Sequence, residues 1–286
     1  MTRRVPAAVA WRRTVDPAER NYLYVPGYVT DAVRARLEAW LATLRPLWEQ
    51  RYSTVRPVPA GREQRALLRP VYWLGNWQFA CLGYYEPPRA VHDRCVAAEP
   101  FPPVIAAIAA DVEQRIRARF APADVPPGWR LDTCLVNFYG DRQDGDRWID
   151  VARVGEHRDF EPGPVASVSI GERALFQFVP RGVGGDRRPV RTQWLDDGGL
   201  QAFAGRRWKD ELLHRVSRVD DRRGVALPPA IDGFRTRRVN LTFRHVPAEH
   251  VVPFARLGAV AQDDVRSYVA QLAAHAPFFA DALAGT

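Results

Sequence analysis

The chain reads as a mainly β protein with flanking helices (α+β), its strands forming an antiparallel sandwich or jelly roll. Two observations carry that reading. Between residues 131 and 246, short β-rich runs alternate with Gly, Pro and Asp turns, the texture of an all-β core. On either side of that stretch, apolar residues recur at helical spacing, so helices flank the core rather than interrupt it.

Taken in order, residues 1–20 are charged, lack periodicity and are expected to be loosely ordered. Tyr22-Leu23-Tyr24-Val25 reads as a short strand stopped by Pro26-Gly27. Thr30 and Asp31 can cap a helix over 31–45, with Val33, Leu37, Trp40, Leu41 and Leu44 on its core face. Residues 51–70 are rich in arginine and proline and read as an exposed connection. The aromatic stretch 72–79 reads as a strand or hairpin, which puts Trp77 and Phe79 on one face. Such rings can stack on a flipped or single-stranded base, although aromatic strand residues more often belong to a core.

Pro102-Pro103 opens a second helix, with Ile105, Ile108, Val112, Ile116 and Phe120 as its apolar face. Strands are expected at 131–139, 165–170, 174–179, 200–203 and 239–246. Beyond Pro247 a helix capped near Asp263 presents Val265, Tyr268, Val269 and Leu272 to the core. The organisation expected is a single composite domain over 21–250, with helices to residue 130 and the β core from 131, followed by a helical extension over 251–286.

Composition narrows the function. The chain has 286 residues, 47% of them hydrophobic, enough for a substantial core. It contains no membrane-length apolar run and no signal-peptide pattern, so a cytoplasmic location is expected and no membrane partner. Cys81, Cys95 and Cys134 are odd in number and widely spaced, which argues against a disulfide framework or a Cys-x-x-Cys site. The net charge of +8 favours an anionic partner. That support is mild, because Lys209 is the only lysine and acidic residues are interspersed throughout.

Chemistry concentrates in three places. His157-Arg158-Asp159-Phe160-Glu161 carries a histidine and a carboxylate two apart, on one face if the stretch is a strand. A borderline metal needing open positions takes two imidazoles and one carboxylate, so a second histidine is required. Of the six histidines, His214 lies where a later strand could bring it beside the pair. In Arg238-Val239-Asn240-Leu241-Thr242-Phe243-Arg244, alternation sends Arg238, Asn240, Thr242 and Arg244 to one face. If that face points inward its guanidiniums need anions, and a dicarboxylate ligand supplies them. Asn137-Phe138-Tyr139 adds an amide and a phenol on one face.

This ordered set resembles the AlkB-like branch of the Fe(II)- and 2-oxoglutarate-dependent dioxygenases. The resemblance is strongest over 131–246; Pro26-Gly27 and residues 72–85 look like that family's substrate-lid region. It implies a double-stranded β-helix with Fe(II) held by His157, Asp159 and His214. It implies 2-oxoglutarate chelating the iron, with Arg238 and Tyr139 at its distal carboxylate, Arg244 near the iron-bound end, and Asn137 and Asn240 helping. O2 is the other co-substrate, and the family's reaction hydroxylates a carbon attached to nitrogen, yielding succinate, CO2 and then formaldehyde. The partner implied is alkylated DNA or RNA, with Glu161 near the damaged base and Trp77 or Phe79 as stacking partners; no obligate protein partner is evident.

Several features depart from the family pattern. The 140–156 hairpin is long, Phe160 stands where a second acidic residue is frequent, Leu213 replaces an aromatic, and a long loop separates His214 from Arg238. The same oxidation applied to a protein side chain or a small metabolite is the alternative within enzymes. A non-catalytic nucleic-acid-binding barrel is the alternative outside them.

Overall fold

Side-chain alternation along the strands decides which face of each sheet meets helices and which lines the interior. The computed structural model describes residues 19–52, 64–78, 95–182, 187–219 and 226–285. The first half of the chain contributes β1 (Tyr22–Val25), α1 (Asp31–Leu41), β2 (Gln50–Tyr52), β3 (Gln64–Ala66), β4 (Val71–Leu74), β5 (Asn76–Trp77), β6 (Cys95–Ala97) and α2 (Pro103–Arg119). The β core follows as β7 (Thr133–Asp144), β8 (Arg147–Asp150), β9 (Val154–His157), β10 (Val165–Gly171), β11 (Ala174–Pro180), β12 (Arg191–Leu195), β13 (Leu200–Phe203), β14 (Leu212–Val219) and β15 (Phe234–Arg244). The C-terminal part holds β16 (Val251–Val252), α3 (Ala259–Ala273) and α4 (Pro277–Ala284).

Seven strands form the larger sheet in the order β1-β13-β10-β15-β7-β4, with β8 paired to β7. Four form the smaller, in the order β12-β11-β14-β9. The two pack face to face: Phe178 of β11 meets Phe203 of β13 at 5.1 Å between ring centres, and Phe176 meets the same ring at 6.2 Å. This is the expected mainly β architecture, a jelly-roll double-stranded β-helix.

The larger sheet's other face carries the main core. Val136 and Phe138 of β7, Ala166, Val168 and Ile170 of β10, and Val239, Leu241 and Phe243 of β15 are buried there with the apolar faces of α1, α2 and α3. Burying each large side chain contributes roughly 1.5–3 kcal/mol, so this face anchors the sheet. The alternate residues of the same strands are thereby fixed inward.

α1 starts where expected, with Thr30 Oγ1 accepting the Val33 amide at 3.4 Å. It ends at Leu41 rather than 45. The Thr43 hydroxyl donates to the Trp40 carbonyl at 2.7 Å, and Pro46 supplies no amide for a further turn. α2 follows the reading closely, with Pro103 in its first turn and Ile105, Ile108, Val112 and Ile116 buried. Gly75, at φ +80°, breaks the aromatic stretch into β4 and β5; a Cβ there would collide with the Asp132 carbonyl.

Other expectations are corrected. Part of the 51–70 connection forms the β2–β3 ladder. β7 continues to Asp144 because its end pairs with β8, and β15 begins at Phe234, five residues before the expected 239, because it pairs with that same extension. α3 begins at Ala259, with Gly258 rather than Asp263 before it, and α4 was too short to show periodicity. These C-terminal helices dock on the core: the Tyr268 hydroxyl accepts the Gln50 amide at 2.8 Å, and Val265, Val269, Leu272 and Phe279 join the main cluster. Among the described residues no helix is long and apolar enough to cross a membrane.

Candidate active site

β9 and β14 are antiparallel neighbours with His157 directly opposite His214. Their rings stand 4.3 Å apart between centres. Asp159 approaches from the turn beyond β9, and one donor atom from each of the three lies within 4.8 Å of the others. A two-residue spacing on a strand predicts His157 and Asp159 on one face. In fact β9 ends at His157, and Arg244 at the end of β15 is what holds Asp159 inward. Its Nε and Nη2 donate to Asp159 Oδ1 at 2.8 and 2.7 Å.

The electrostatics suit a metal. His157 Nδ1 lies 2.8 Å from the Gly155 carbonyl, so that nitrogen carries the proton and Nε2 keeps its lone pair. His214 Nε2 is 3.4 Å from Asp159 Oδ2, while its Nδ1 is buried without a hydrogen-bond partner. Burial pushes the His214 pKa down to about 3, aided by His157 and opposed by Asp159. Burial lowers His157 as well. Burial pushes the Asp159 carboxyl up, but Arg244 and the two histidines outweigh it and hold the group below the usual carboxylate range. Two neutral imidazoles and an ionised carboxylate are the donor set that fits Fe(II) with positions left open.

Beside this triad lies a narrow cavity of about 70 Å³ between the two sheets. Asn137, Tyr139, Arg238, Asn240 and Arg244 all line it, as alternation along β7 and β15 requires. Arg238 is 1% exposed. Its Nη2 donates to Ser169 Oγ at 2.9 Å, while Nε and Nη1 are buried without a hydrogen-bond partner. Burial lowers its pKa, opposed by Tyr139, whose ring centre is 5.0 Å from the guanidinium carbon. An uncompensated buried charge costs several kcal/mol, so the site is built to receive an anion. Asn240 Oδ1 accepts the Thr242 hydroxyl at 2.7 Å, and Asn137 Oδ1 accepts from Arg69 Nε at 2.8 Å.

Arg238 owes its aim to a bulge. Thr236 pairs with Gly140 and Arg238 with Tyr139, so Arg237 is an extra residue in β15. Arg237 turns away from the cavity to three carboxylates, Asp141 at 3.4 Å, Asp150 at 3.0 Å and Glu172 at 2.5 Å.

A wider cavity, about 530 Å³, opens on the other side of Asp159 and is lined by Arg158, Phe160, Glu161 and Lys209 among others. Glu161 Oε1 accepts from Gln78 Nε2 at 2.7 Å, but Oε2 is buried without a partner. Lys209 sits in a single π-helical turn, Arg207–Glu211. It donates to the carbonyls of Glu161 and Gly163, pinning the segment that follows Asp159. Phe160 is 40% exposed, with the Arg158 guanidinium carbon 4.8 Å from its ring centre.

Trp77 does not fit the role expected of it. It is 1% exposed, its indole N–H donates to Glu49 at 2.7 Å, and its ring packs edge-on against Tyr268. It is a core residue with no face open to a base. Phe79 and Cys81 lie outside the described residues. The sequence reading also passed over Arg69, Gln78, Ser169 and Lys209. Lys209 did carry a signal, as the single lysine of an arginine-rich chain. Arg69 carried a weaker one, its place two residues before Val71 on the same strand face.

The family model of the 2OG-Fe(II) oxygenase superfamily matches residues 21–244. No curated protein matches the chain. Among solved structures, that of OsALKBH1 is similar at 21% identity, covering 79% of this chain and 98% of that one, with a TM-score of 0.47. Two structures of YcfD, the ribosomal oxygenase from Escherichia coli, are similar at 11% and 12% identity. They cover 61% and 68% of this chain and 46% and 48% of their own, with TM-scores of 0.27 and 0.28. The family match takes in both sheets and every residue of the triad and the narrow cavity, and by it the chain belongs to the 2OG-Fe(II) oxygenase superfamily: a dioxygenase that uses Fe(II), 2-oxoglutarate and O2.

Proposed function

We propose that this dioxygenase demethylates alkylated nucleic-acid bases by oxidation, as the AlkB-like branch does. His157, Asp159 and His214 are the metal ligands in this reading. When bound, Fe(II) supplies the oxidising chemistry, in which O2 and 2-oxoglutarate become succinate and CO2 and one oxygen atom goes to the carbon on the base nitrogen. Loss of formaldehyde then completes the repair.

The chain's own part is placement. The buried imidazoles stay neutral and present lone pairs. Arg244 keeps Asp159 ionised and aimed. Arg238, with Tyr139, takes the distal carboxylate of 2-oxoglutarate, and Asn137 and Asn240 complete the polar wall. Phe176, Phe178 and Phe203 pack around His214 and keep water from that side, their ring centres 5.4, 6.0 and 5.4 Å from it.

Glu161 is the observation that carries the substrate assignment. It is a buried carboxylate in the wall of the wide cavity, two residues from Asp159, with one oxygen unpartnered. An unmet buried acceptor costs about 1–3 kcal/mol, and a cationic substrate group relieves that cost. A base alkylated on a ring nitrogen carries such a charge, whereas the normal base does not. Phe160 offers an exposed ring in the same cavity for stacking, taking the role expected of Trp77. The net charge of +8 supports a polyanionic partner. Residues 21–250 form the catalytic unit in this reading and 251–286 a helical extension. A cytoplasmic location accords with the buried free thiols of Cys95 and Cys134.

The test is to load the protein anaerobically with Fe(II), admit O2 and 2-oxoglutarate, and quantify succinate and formaldehyde. Oligonucleotides with and without N-methylated bases are compared with a methylated peptide. Succinate stimulated by the methylated oligonucleotide, with matching formaldehyde, is the expected result. Stimulation by the peptide alone would move the substrate to a protein side chain, and slow succinate release unaffected by either polymer would point to a small metabolite.

A further inference from the structure

Arg69 lies outside the stretches that carry the family resemblance, yet it lines the narrow cavity. Strand pairing puts it there. Val71 of β4 pairs with Asn137 of β7, and the Phe138 amide donates to the Pro70 carbonyl at 3.2 Å, extending the contact towards Arg69. The two-residue period then brings Arg69 beside Tyr139. On the opposite flank of β7, Arg238 pairs with the same Tyr139. Arg69, Tyr139 and Arg238 thus form a row across three adjacent chain segments, each guanidinium carbon 5.0 Å from the phenol ring centre.

Charge in this cavity is lopsided. Its lining holds Arg69, Arg238 and Arg244 but only one carboxylate, Asp159, and Arg244 is already engaged with that. Among the described residues, neither Arg69 nor Arg238 has an acidic partner: Arg69 Nε donates to the neutral Asn137 amide and Arg238 Nη2 to the Ser169 hydroxyl. The Asn137 bond orients the Arg69 plane and leaves its two terminal amino groups for a ligand. Two guanidiniums along one wall suit a carboxylate, whose two oxygens offer about four acceptor positions.

We infer that Arg69 is a second guanidinium for the distal carboxylate of 2-oxoglutarate, which Arg69 and Arg238 hold together. The inference rests on the assignment of Arg238 to that carboxylate. Its consequence is selectivity. A 2-oxo acid without a distal carboxylate leaves the two guanidiniums flanking Tyr139 with no anion to offset their charge, so dicarboxylates are chosen by penalty as well as by attraction.

Calorimetric titration of the Mn(II)-loaded protein tests this without turnover. The probes are 2-oxoglutarate and 2-oxopentanoate, which has the same oxo-acid end and a methyl group in place of the distal carboxylate. Arg69→Met is expected to weaken 2-oxoglutarate by about tenfold or more and to leave 2-oxopentanoate within about twofold of wild type, with Arg69→Lys in between. Equal weakening of both acids means that Arg69 acts only through Asn137 and overturns the inference, as does no change in either. Arg69→Gln, which retains an N–H for Asn137, carries the same comparison should the methionine variant fail to fold. Arg238→Met separates the two readings. If it leaves 2-oxoglutarate binding intact, the assignment of Arg238 fails; if it weakens 2-oxoglutarate while Arg69→Met does not, the inference about Arg69 fails alone.

Discussion

The narrow cavity and the wide one meet at Asp159 and differ in nearly everything else. The narrow one lies between two sheets, is lined by side chains whose direction strand parity dictates, and has cations in excess. The wide one is walled mostly by turns, around 123–126, 158–163 and 205–210, and mixes Arg158, Arg206 and Lys209 with Asp124, Glu161 and Asp210. A site built on strands tolerates little variation, because moving one residue flips its neighbours to the other face. A site built on turns can change without disturbing the core. The proposed function accordingly puts the co-substrate in the first kind of site and the substrate in the second.

Variants chosen by cavity separate these roles. Asp159→Ala strikes both and has the largest effect: 2-oxoglutarate turnover falls to background, and losing the carboxylate to which Arg244 Nε and Nη2 donate costs the fold about 1–3 kcal/mol. Succinate assay and thermal unfolding measure the two, and full turnover in this variant would remove the proposed metal site. Arg238→Ala touches only the narrow cavity. It raises the 2-oxoglutarate concentration for half-maximal rate by about a hundredfold with metal affinity unchanged; the opposite pattern would mean that the strand has been misassigned. Glu161→Gln removes a charge from the wide one, at a side chain whose Oε1 also lies 3.5 Å from Arg244 Nε. It lowers kcat/KM for a cationic methylated base by about tenfold while slow succinate release without substrate stays as in wild type, and equal loss on cationic and neutral bases would sink the charge argument. Trp77→Phe touches neither cavity. It destabilises the fold by about 1–2 kcal/mol through the lost bond to Glu49 and leaves the kinetics of the folded enzyme unchanged, so a specific loss of oligonucleotide affinity would restore Trp77 as a base contact.

The same contrast explains what could be read from the sequence. On β15 the alternation of Arg238, Asn240, Thr242 and Arg244 with Val239, Leu241 and Phe243 is local, and the structure buries the two sets on opposite sides. The pairing of His157 with His214 could be anticipated only as a possibility, because it depends on strands brought together from distant parts of the chain. Asp159 was found by spacing but for the wrong reason, since it lies past the end of its strand and Arg244 positions it. Trp77 was misread because local pattern does not say which aromatic residue a C-terminal helix will cover, and Tyr268 covers Trp77. Arg69 stayed hidden in an arginine-rich connection because its neighbour Tyr139 is distant in sequence.

The bulge at Arg237 has one further consequence. A bulge brings an extra backbone unit against the partner strand, and the residue facing it here is Gly140. A Cβ at that position would overlap the Arg235 carbonyl and crowd the Arg237 amide. Gly140 lines neither cavity, yet adding one methyl there would force β15 to realign just where its neighbouring arginines part, one to its acids and one to the cavity. A hydrogen atom on a neighbouring strand thus sets the direction of Arg238, which makes position 140 a fragile point for a chemistry it never meets.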